Sequence, residues 1–382
     1  MSEKSLRVLG VMTGTSCDGL DGACLDFNLN GWSSLGEGSV SYPPSLRRRV
    51  FEIQKTGGVL SVQKILELNR DLGIWYGKAI GSLIRRLRVP HVIANHGQTV
   101  AHFPDSAVTL QLGDPTQIVR HTGLTVVSHF REGDLSAGGQ GAPLVPLFHQ
   151  VLAGTLKGKL GERGGVAIHN LGGMSNLTYI GPKDRILAFD TGPGNCWIDE
   201  AAFRVTHGRL KMDVGGKLAR EGGVDQRVVR KILKHPFFKK APPKSTGRDD
   251  FHFSLLRTSQ RTLVATATAI TVESIAQAYE NWILGRKLPL KTVFLCGGGV
   301  KNHTLVHWLS ERLQQIEFIN IEDVGINPTY VEAQAFAYFG FLSLLGAPLG
   351  GAWTGARGFG PPGSITPGKN WGEVMRRLRA AM

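Results

Sequence analysis

Short apolar runs alternate along this chain with turns rich in Gly, Ser and Asp, and with longer stretches of helical period. Residues 6–11, Arg7 apart, and 23–25 are apolar and predict two buried strands. The turn between them carries Gly14, Thr15, Ser16, Cys17, Asp18, Gly19, Leu20 and Asp21. The pattern recurs where residues 166–170 and 177–180 flank Leu171, Gly172, Gly173, Met174, Ser175 and Asn176. A further strand over 185–190 ends in Asp190, ahead of Gly192 and Gly194. Another, over 292–296, runs into Gly297, Gly298 and Gly299. Helical period predicts helices over 61–87, 196–205, 263–284, 304–313 and 330–345, and short apolar runs predict strands over 91–94, 125–128 and 316–321. Residues 350–367 are rich in Gly and Pro and read as a tail.

Two halves that each open with strand, glycine turn and strand suggest an internal duplication. Glycines let a backbone approach phosphate oxygens, and turn N–H groups and small hydroxyls can ligate them. Asp18 and Asp21 have the chemistry to hold Mg²⁺, directly or through water. Taken alone, each such segment is equally a hairpin whose turn needs Gly, Ser and Asp for backbone reasons. The string Gly358–Phe359–Gly360–Pro361–Pro362–Gly363 matches GxGxxG, but no strand precedes it and its prolines forbid a dinucleotide turn. The chain has no Walker A lysine motif, which excludes a P-loop kinase.

An ordered set of motifs narrows the reading. These are Gly14–Thr15–Ser16–Cys17–Asp18–Gly19–Leu20–Asp21, Asn95–His96–Gly97–Gln98–Thr99, Gln111–Leu112–Gly113–Asp114–Pro115 and Phe130–Arg131. Asp134 and the run from Ala137 to Pro146 follow, then Asn170–Leu171–Gly172–Gly173 and Phe189–Asp190–Thr191–Gly192–Pro193–Gly194–Asn195. Last come Pro242–Pro243–Lys244–Ser245–Thr246–Gly247–Arg248, Cys296–Gly297–Gly298–Gly299 and the run from Val331 to Ala337. In this order and over nearly the whole chain, the set resembles the anhydro-N-acetylmuramic acid kinases of the actin-like ATPase and sugar kinase superfamily. Small departures touch no proposed catalytic atom. Cys17 stands where an apolar residue such as Met is expected, His129 where Asp is common before Phe130, and Leu171 where Ile is common.

The resemblance implies an α/β protein with a two-lobed actin/hexokinase-like fold, a duplicated ribonuclease H-like unit with a nucleotide cleft between the lobes. The expected lobes are residues 1–130 and 131–382, with the C-terminal helical part, about 330–382, packing back near the first. It implies ATP and Mg²⁺ as cofactors, with Asp18 and Asp21 toward the metal. The nucleotide would lie against Gly14 to Asp21, Asn170, Gly172, Gly173, Gly192, Gly194, Asn195 and Gly297 to Gly299. Asp190 would be the catalytic base, activating a water that attacks the anomeric carbon of the 1,6-anhydro sugar. The released O6 would then take the γ-phosphoryl group. Thr99, Arg131 and Glu332 would bind the sugar, with Arg131 pairing with its lactyl carboxylate.

Each of these residues also has a plainer role open to it. Asp190 suits a cap on the turn or on the helix that follows. Thr99 suits a turn, and Arg131 a surface ion pair with Glu132 or Asp134. Glu332 stands among apolar neighbours, where a carboxylate needs a partner or a cleft. His96 reads as a hydrogen-bonded structural histidine.

Composition limits the alternatives. A length of 382 residues allows two domains, each with its own core. No apolar run is long enough to span a bilayer, and residues 1–7 lack a signal-peptide pattern, so a cytoplasmic enzyme is expected. The four cysteines show no zinc-ligand spacing and read as reduced, packed thiols. The net charge of +14 is spread over scattered Lys and Arg rather than gathered in a nucleic-acid-binding module. Neither nucleic acid nor membrane is an expected partner; a homodimer is implied by the resemblance alone. Two other readings stay open at this point: a different small-molecule kinase of the same fold, and a non-catalytic nucleotide-binding switch protein.

Overall fold

The computed structural model describes residues 5–14, 17–28, 31–55, 61–160, 164–247 and 251–381. Its first strands are β1 (Leu6–Thr13), β2 (Gly19–Asn28), β3 (Gly31–Ser41), β4 (Val92–Asn95), β5 (Gln98–Phe103), β6 (Val108–Leu112) and β7 (Thr125–Ser128). Then come β8 (Gly165–Leu171), β9 (Met174–Ile180), β10 (Ile186–Pro193), β11 (Leu290–Cys296), β12 (Glu317–Asn320) and β13 (Ser364–Thr366). The chain divides into two compact units, one running to Phe148 and resuming at Thr329, the other His149–Pro328.

The first unit holds a sheet of order β13-β7-β4-β1-β2-β3. β1 pairs antiparallel with β2, from Leu6 opposite Phe27 to Thr13 opposite Leu20, and β2 pairs antiparallel with β3. β4 runs parallel to β1 and to β7. Alternate apolar side chains of β1 and β2 meet Leu68, Leu72, Tyr76 and Leu83 of the helix Val62–Arg86 in a closed core. The helix Val331–Leu344 packs on β1 and β2 as well. Gly10 permits that approach, because a Cβ there would strike the backbone of Ala333 and Ala337.

The second unit repeats the plan. Its sheet order is β10-β9-β8-β11-β12. β8–β9 and β9–β10 are antiparallel, whereas β8–β11 and β11–β12 are parallel. Strand for strand this matches β3-β2-β1-β4-β7, in order and in sense. Its core gathers Leu177, Tyr179, Val293 and Leu295 of the sheet with Ile270, Ile275 and Tyr279 of the helix Gln260–Trp282. That helix is rich in Ala and Thr, which lets it sit close to its neighbours. A three-stranded antiparallel meander continued by parallel strands, present twice, is the duplicated ribonuclease H-like arrangement of the actin/hexokinase-like fold. The duplication expected from the two glycine hairpins is therefore one of whole sheets.

The division falls at Phe148 rather than at residue 130. Residues 131–148 stay with the first unit because their polar groups are tied there. Arg131 bonds His96, Asp134 bonds Thr354, and Trp353 Nε1–H donates to the Pro143 carbonyl. The Gly/Pro-rich stretch is ordered by these bonds and leads into β13 and the helix Trp371–Ala381. Sequence periodicity also passed over β3, whose side chains are mostly half-buried or exposed, and the β5–β6 hairpin. Neither presents an apolar run.

Candidate active site

In the second unit, the Gly172–Gly173 turn joins β8 to β9. It receives the start of the helix Asn195–Val205. The N–H groups of Gly194 and Cys196 donate to the Gly173 carbonyl at 2.9 and 3.1 Å, and that of Asn195 to the Gly172 carbonyl at 2.8 Å. Asn195 Nδ2 donates to the Leu171 carbonyl at 2.8 Å. The triple glycine ends β11 beside the same turn. Gly297 has φ +84°, and a Cβ there would strike Asn170 Oδ1, so bare backbone is required. Asn170, Gly172, Gly173, Gly194, Asn195, Gly297 and Gly299 thus lie together, and Gly298 opens the short 3-10 turn that follows. Glycine turns that allow close backbone approach suit this cluster to phosphate or to a nucleotide.

Asp190 sits on β10 at an irregularity, where the register with β9 shifts between Asp190 and Gly192. Such a bulge re-aims a side chain out of the sheet pattern. Asp190 Oδ2 accepts from the Thr246 N–H at 2.8 Å, and the Asp190 N–H donates to the Lys244 carbonyl at 3.0 Å. The following helix receives no side-chain cap from it. Burial raises its carboxyl to about 6, against the lowering effects of the Thr246 N–H and the Lys244 ammonium. A carboxylate poised there is half ionised close to neutrality, as a general base should be. The capping role is not the one Asp190 plays.

In the first unit, Thr15 and Ser16 of the opening turn lie outside the described residues. The flanking turn is tied to β5. Gln98 Nε2 donates to the carbonyls of Gly14 and Thr99 at 3.3 and 3.4 Å, and Cys17 Sγ donates to Gln98 Oε1 at 3.4 Å. Cys17 is fully buried with φ +52°, and burial pushes its thiol up to about 11, so it is no nucleophile at neutral pH. Gly19 and Leu20 belong to β2, and the Leu20 side chain is core, leaving it nothing to offer a nucleotide. Asp18 is exposed and bonds Arg47 at 3.0 Å; Asp21 accepts from Ser39 Oγ at 2.5 Å. No group of three or more His, Cys, Asp or Glu suited to a metal occurs among the described residues. The two aspartates fit Mg²⁺ only as one or two carboxylates beside phosphate and water, the usual habit of that ion.

The sugar candidates share this unit. Arg131 donates from Nε and Nη2 to His96 Nε2 at 3.1 and 3.0 Å, and from Nη1 to the Gly141 carbonyl at 2.8 Å. Its guanidinium therefore bonds neither Glu132 nor Asp134. Asp134 instead accepts from the Gly141 N–H at 2.7 Å and from Thr354 Oγ1 at 2.6 Å. Glu332 is exposed by area, yet the protein crowding round it raises its carboxyl; Arg131 opposes that rise and Asp21 adds to it. Thr99 is half-buried, its Oγ1 accepting from Gln111 Nε2 at 3.3 Å. His96, Asp134, Lys244 and Thr246 were not assigned roles at the site from sequence. A histidine at a strand end was the one visible signal; nothing in a sequence marks a lysine that folds inward.

Known proteins resemble this chain over nearly its whole length. The family model for anhydro-N-acetylmuramic acid kinase matches residues 6–368. An anhydro-N-acetylmuramic acid kinase of Acidithiobacillus ferrooxidans is 37% identical, covering 98% of this chain and 95% of its own length. That of Caldanaerobacter subterraneus subsp. tengcongensis is 36% identical over 86% of this chain and 89% of its own. That of Xylella fastidiosa is 34% identical over 94% and 96%. The chain belongs to the anhydro-N-acetylmuramic acid kinase family.

Proposed function

We propose that this chain is an ATP-dependent kinase that opens 1,6-anhydro-N-acetylmuramic acid with water and phosphorylates the freed O6, giving N-acetylmuramic acid 6-phosphate for cell-wall recycling. The observation that carries the reading is Asp190, a half-buried carboxylate aimed by a strand bulge and poised near neutral pH. Asp190 takes a proton from water as the water oxygen bonds to the anomeric carbon. The C1–O6 bond breaks, its electron pair stays on O6, and O6 attacks the γ-phosphorus as ADP leaves. Arg131, preset by His96 and Gly141, pairs with the sugar carboxylate, and Thr99 and Glu332 hydrogen-bond its remaining polar groups. The Gly172–Gly173 turn, braced by Gly194 and Asn195, and the Gly297–Gly299 turn support the nucleotide. Asp18 and Asp21 would hold Mg²⁺, which supplies charge neutralisation on the phosphates when bound.

No helix among the described residues is long and apolar enough to cross a membrane. Placement in the cytoplasm, with its ATP, and assembly as a homodimer are parts of the proposal that rest on the family resemblance. A product assay tests the reading. ADP release should depend on the anhydro sugar, and N-acetylglucosamine, with a free 6-hydroxyl and no lactyl group, should not replace it. Equal turnover of both sugars would return the chain to a general amino-sugar kinase.

A further inference from the structure

We propose that His169 and Ser175 are positioning residues for the reaction, fixing through Thr191 the strand bulge that aims Asp190. The proposal rests on Asp190 being the base.

Asp190 lies opposite Asn176 and Gly192 opposite Ser175, so Thr191 is the extra residue of the bulge, without a register partner on β9. Its side chain supplies the anchor that the ladder does not. Thr191 Oγ1 donates to Ser175 Oγ at 2.8 Å and lies 3.2 Å from the Ser175 carbonyl. Ser175 Oγ in turn bonds His169 Nε2 at 2.7 Å, and His169 Nδ1 bonds the Tyr279 hydroxyl at 2.9 Å. All four side chains are buried. The chain of bonds therefore runs from the residue beside Asp190, across β9 and β8, to the helix Gln260–Trp282. On the same helix, Thr271 Oγ1 donates to the Gly194 carbonyl at 3.0 Å. One helix thus braces β10 on both sides of Gly192.

Apolar side chains would fill this space without burying polar groups. Val166, Ala167 and Ile168, which precede His169 on β8, are apolar and equally buried. What the polar chain adds is direction, because a satisfied buried network specifies one arrangement where apolar packing tolerates several. A neutral imidazole has one donor and one acceptor, which lets His169 join two hydroxyls. Burial keeps the ring neutral down to about 3, so the chain does not titrate in the range where Asp190 does. The Thr246 N–H and the Lys244 carbonyl hold Asp190 itself, whereas the chain holds the residue on which the strand turns. Ser175 also follows closely on the Gly172–Gly173 turn, so one pair of hydroxyls ties the nucleotide turn to the base.

The experiment measures kcat, and KM for ATP and for the anhydro sugar, in the wild type, Thr191→Val, Thr191→Ser, Ser175→Ala and His169→Leu, with thermal melting to follow the fold. Thr191→Val keeps the branched shape and removes the hydroxyl. Its kcat should fall about tenfold or more, the effect of a small misplacement of a reacting group, with both KM values unmoved. Thr191→Ser should recover most of that loss. An unchanged kcat in Thr191→Val, or an equal fall in Thr191→Ser, would overturn the proposal. Should Thr191→Val not fold, Ser175→Ala and His169→Leu break the same chain further back and should show the same split; wild-type kcat in both would overturn it too. In an Asp190→Asn background there is no base left to aim, so Thr191→Val should cost nothing further on the residual rate. Losses that simply add would place the action of the hydroxyl elsewhere and refute the proposal. Asp190→Asn alone separates the two readings. If it keeps turnover, Asp190 is not the base and the proposal falls with it. If it loses turnover while the chain variants keep theirs, the base stands and the positioning role alone falls.

Discussion

Arg131 directs two of its N–H groups, from Nε and Nη2, at one atom, Nε2 of His96, at 3.1 and 3.0 Å. That nitrogen is therefore an acceptor, and the neutral ring carries its proton on Nδ1. Burial and the adjacent guanidinium hold His96 well below the usual histidine range, so it stays an acceptor through neutral pH. The ring is fixed in turn by Phe336, 4.4 Å away between centroids. Replacing it with leucine should free the guanidinium to rotate. KM for the sugar should rise about tenfold or more, the worth of a charge-assisted hydrogen bond, with KM for ATP unmoved. Steady-state kinetics with each substrate varied in turn reads the split, and a rise in both would mean general damage.

The same arginine depends on a segment far away in sequence. Thr354 Oγ1 donates to Asp134, Asp134 takes the Gly141 N–H, and the Gly141 carbonyl takes Arg131 Nη1. Thr354→Val would leave a buried carboxylate oxygen short of a donor, destabilising the protein by about 1–3 kcal/mol. Thermal melting should show the loss, sugar KM should rise in the direction of the His96 variant, and Thr354→Ser should restore both. Normal sugar binding in Thr354→Val would show that the relay is only structural.

Stability should fall as the pH is lowered from 7 toward 4. Burial keeps His96 and His169 neutral, the latter down to about 3, and His91 and His149 to about 4. The unfolded chain takes up these protons near 6.5 and the folded chain refuses them, so the balance shifts to the unfolded state below that pH. His149 alone accounts for a loss on the order of 3 kcal/mol by pH 4. Asp190 works the other way, since its folded carboxyl binds a proton at about 6 and its unfolded one near 3.8. Burial also raises Glu332 and Glu37, and the four histidines outweigh these three carboxylates. Denaturant melts at pH 7.5 and 5 check the sign, and a higher midpoint at pH 5 would contradict it.

Asp190→Asn follows from the same shift. It removes a charge that burial disfavours, so the variant should be more stable than the wild type at pH 7.5 and less distinguishable from it below pH 5. Turnover should fall to under roughly a tenth of the wild-type rate while ATP binding persists. Gain of stability with loss of rate is the mark of a strained functional carboxylate. Loss of both would make it structural.

The hydrophobic pattern was enough to read the two hairpins, the Asp190 strand and the long helices, because each buries a continuous apolar face. It passed over β3, half-solvated and rich in Ser and Gly, and the β5–β6 hairpin, whose Phe103 and Val108 face solvent. The boundary at Phe148 was not legible because hydrogen bonds of Asp134 and Thr354, 220 positions apart, decide it. Asp190, Arg131 and Glu332 are singled out as candidates by the family motifs. Their partners, His96 and Lys244, are not, because what defines them is orientation and burial rather than residue type. The complete burial of Cys17 agrees with its reading as a packed thiol.

The most direct test runs the reaction with ATP, Mg²⁺ and 1,6-anhydro-N-acetylmuramic acid in ¹⁸O-labelled water, with products read by mass spectrometry. Water activated by Asp190 should leave its oxygen on the anomeric carbon, and the phosphoryl group on O6 should come unlabelled from ATP. Label in the phosphoryl group, or ATP hydrolysis with no phosphorylated sugar, would contradict coupled opening and transfer.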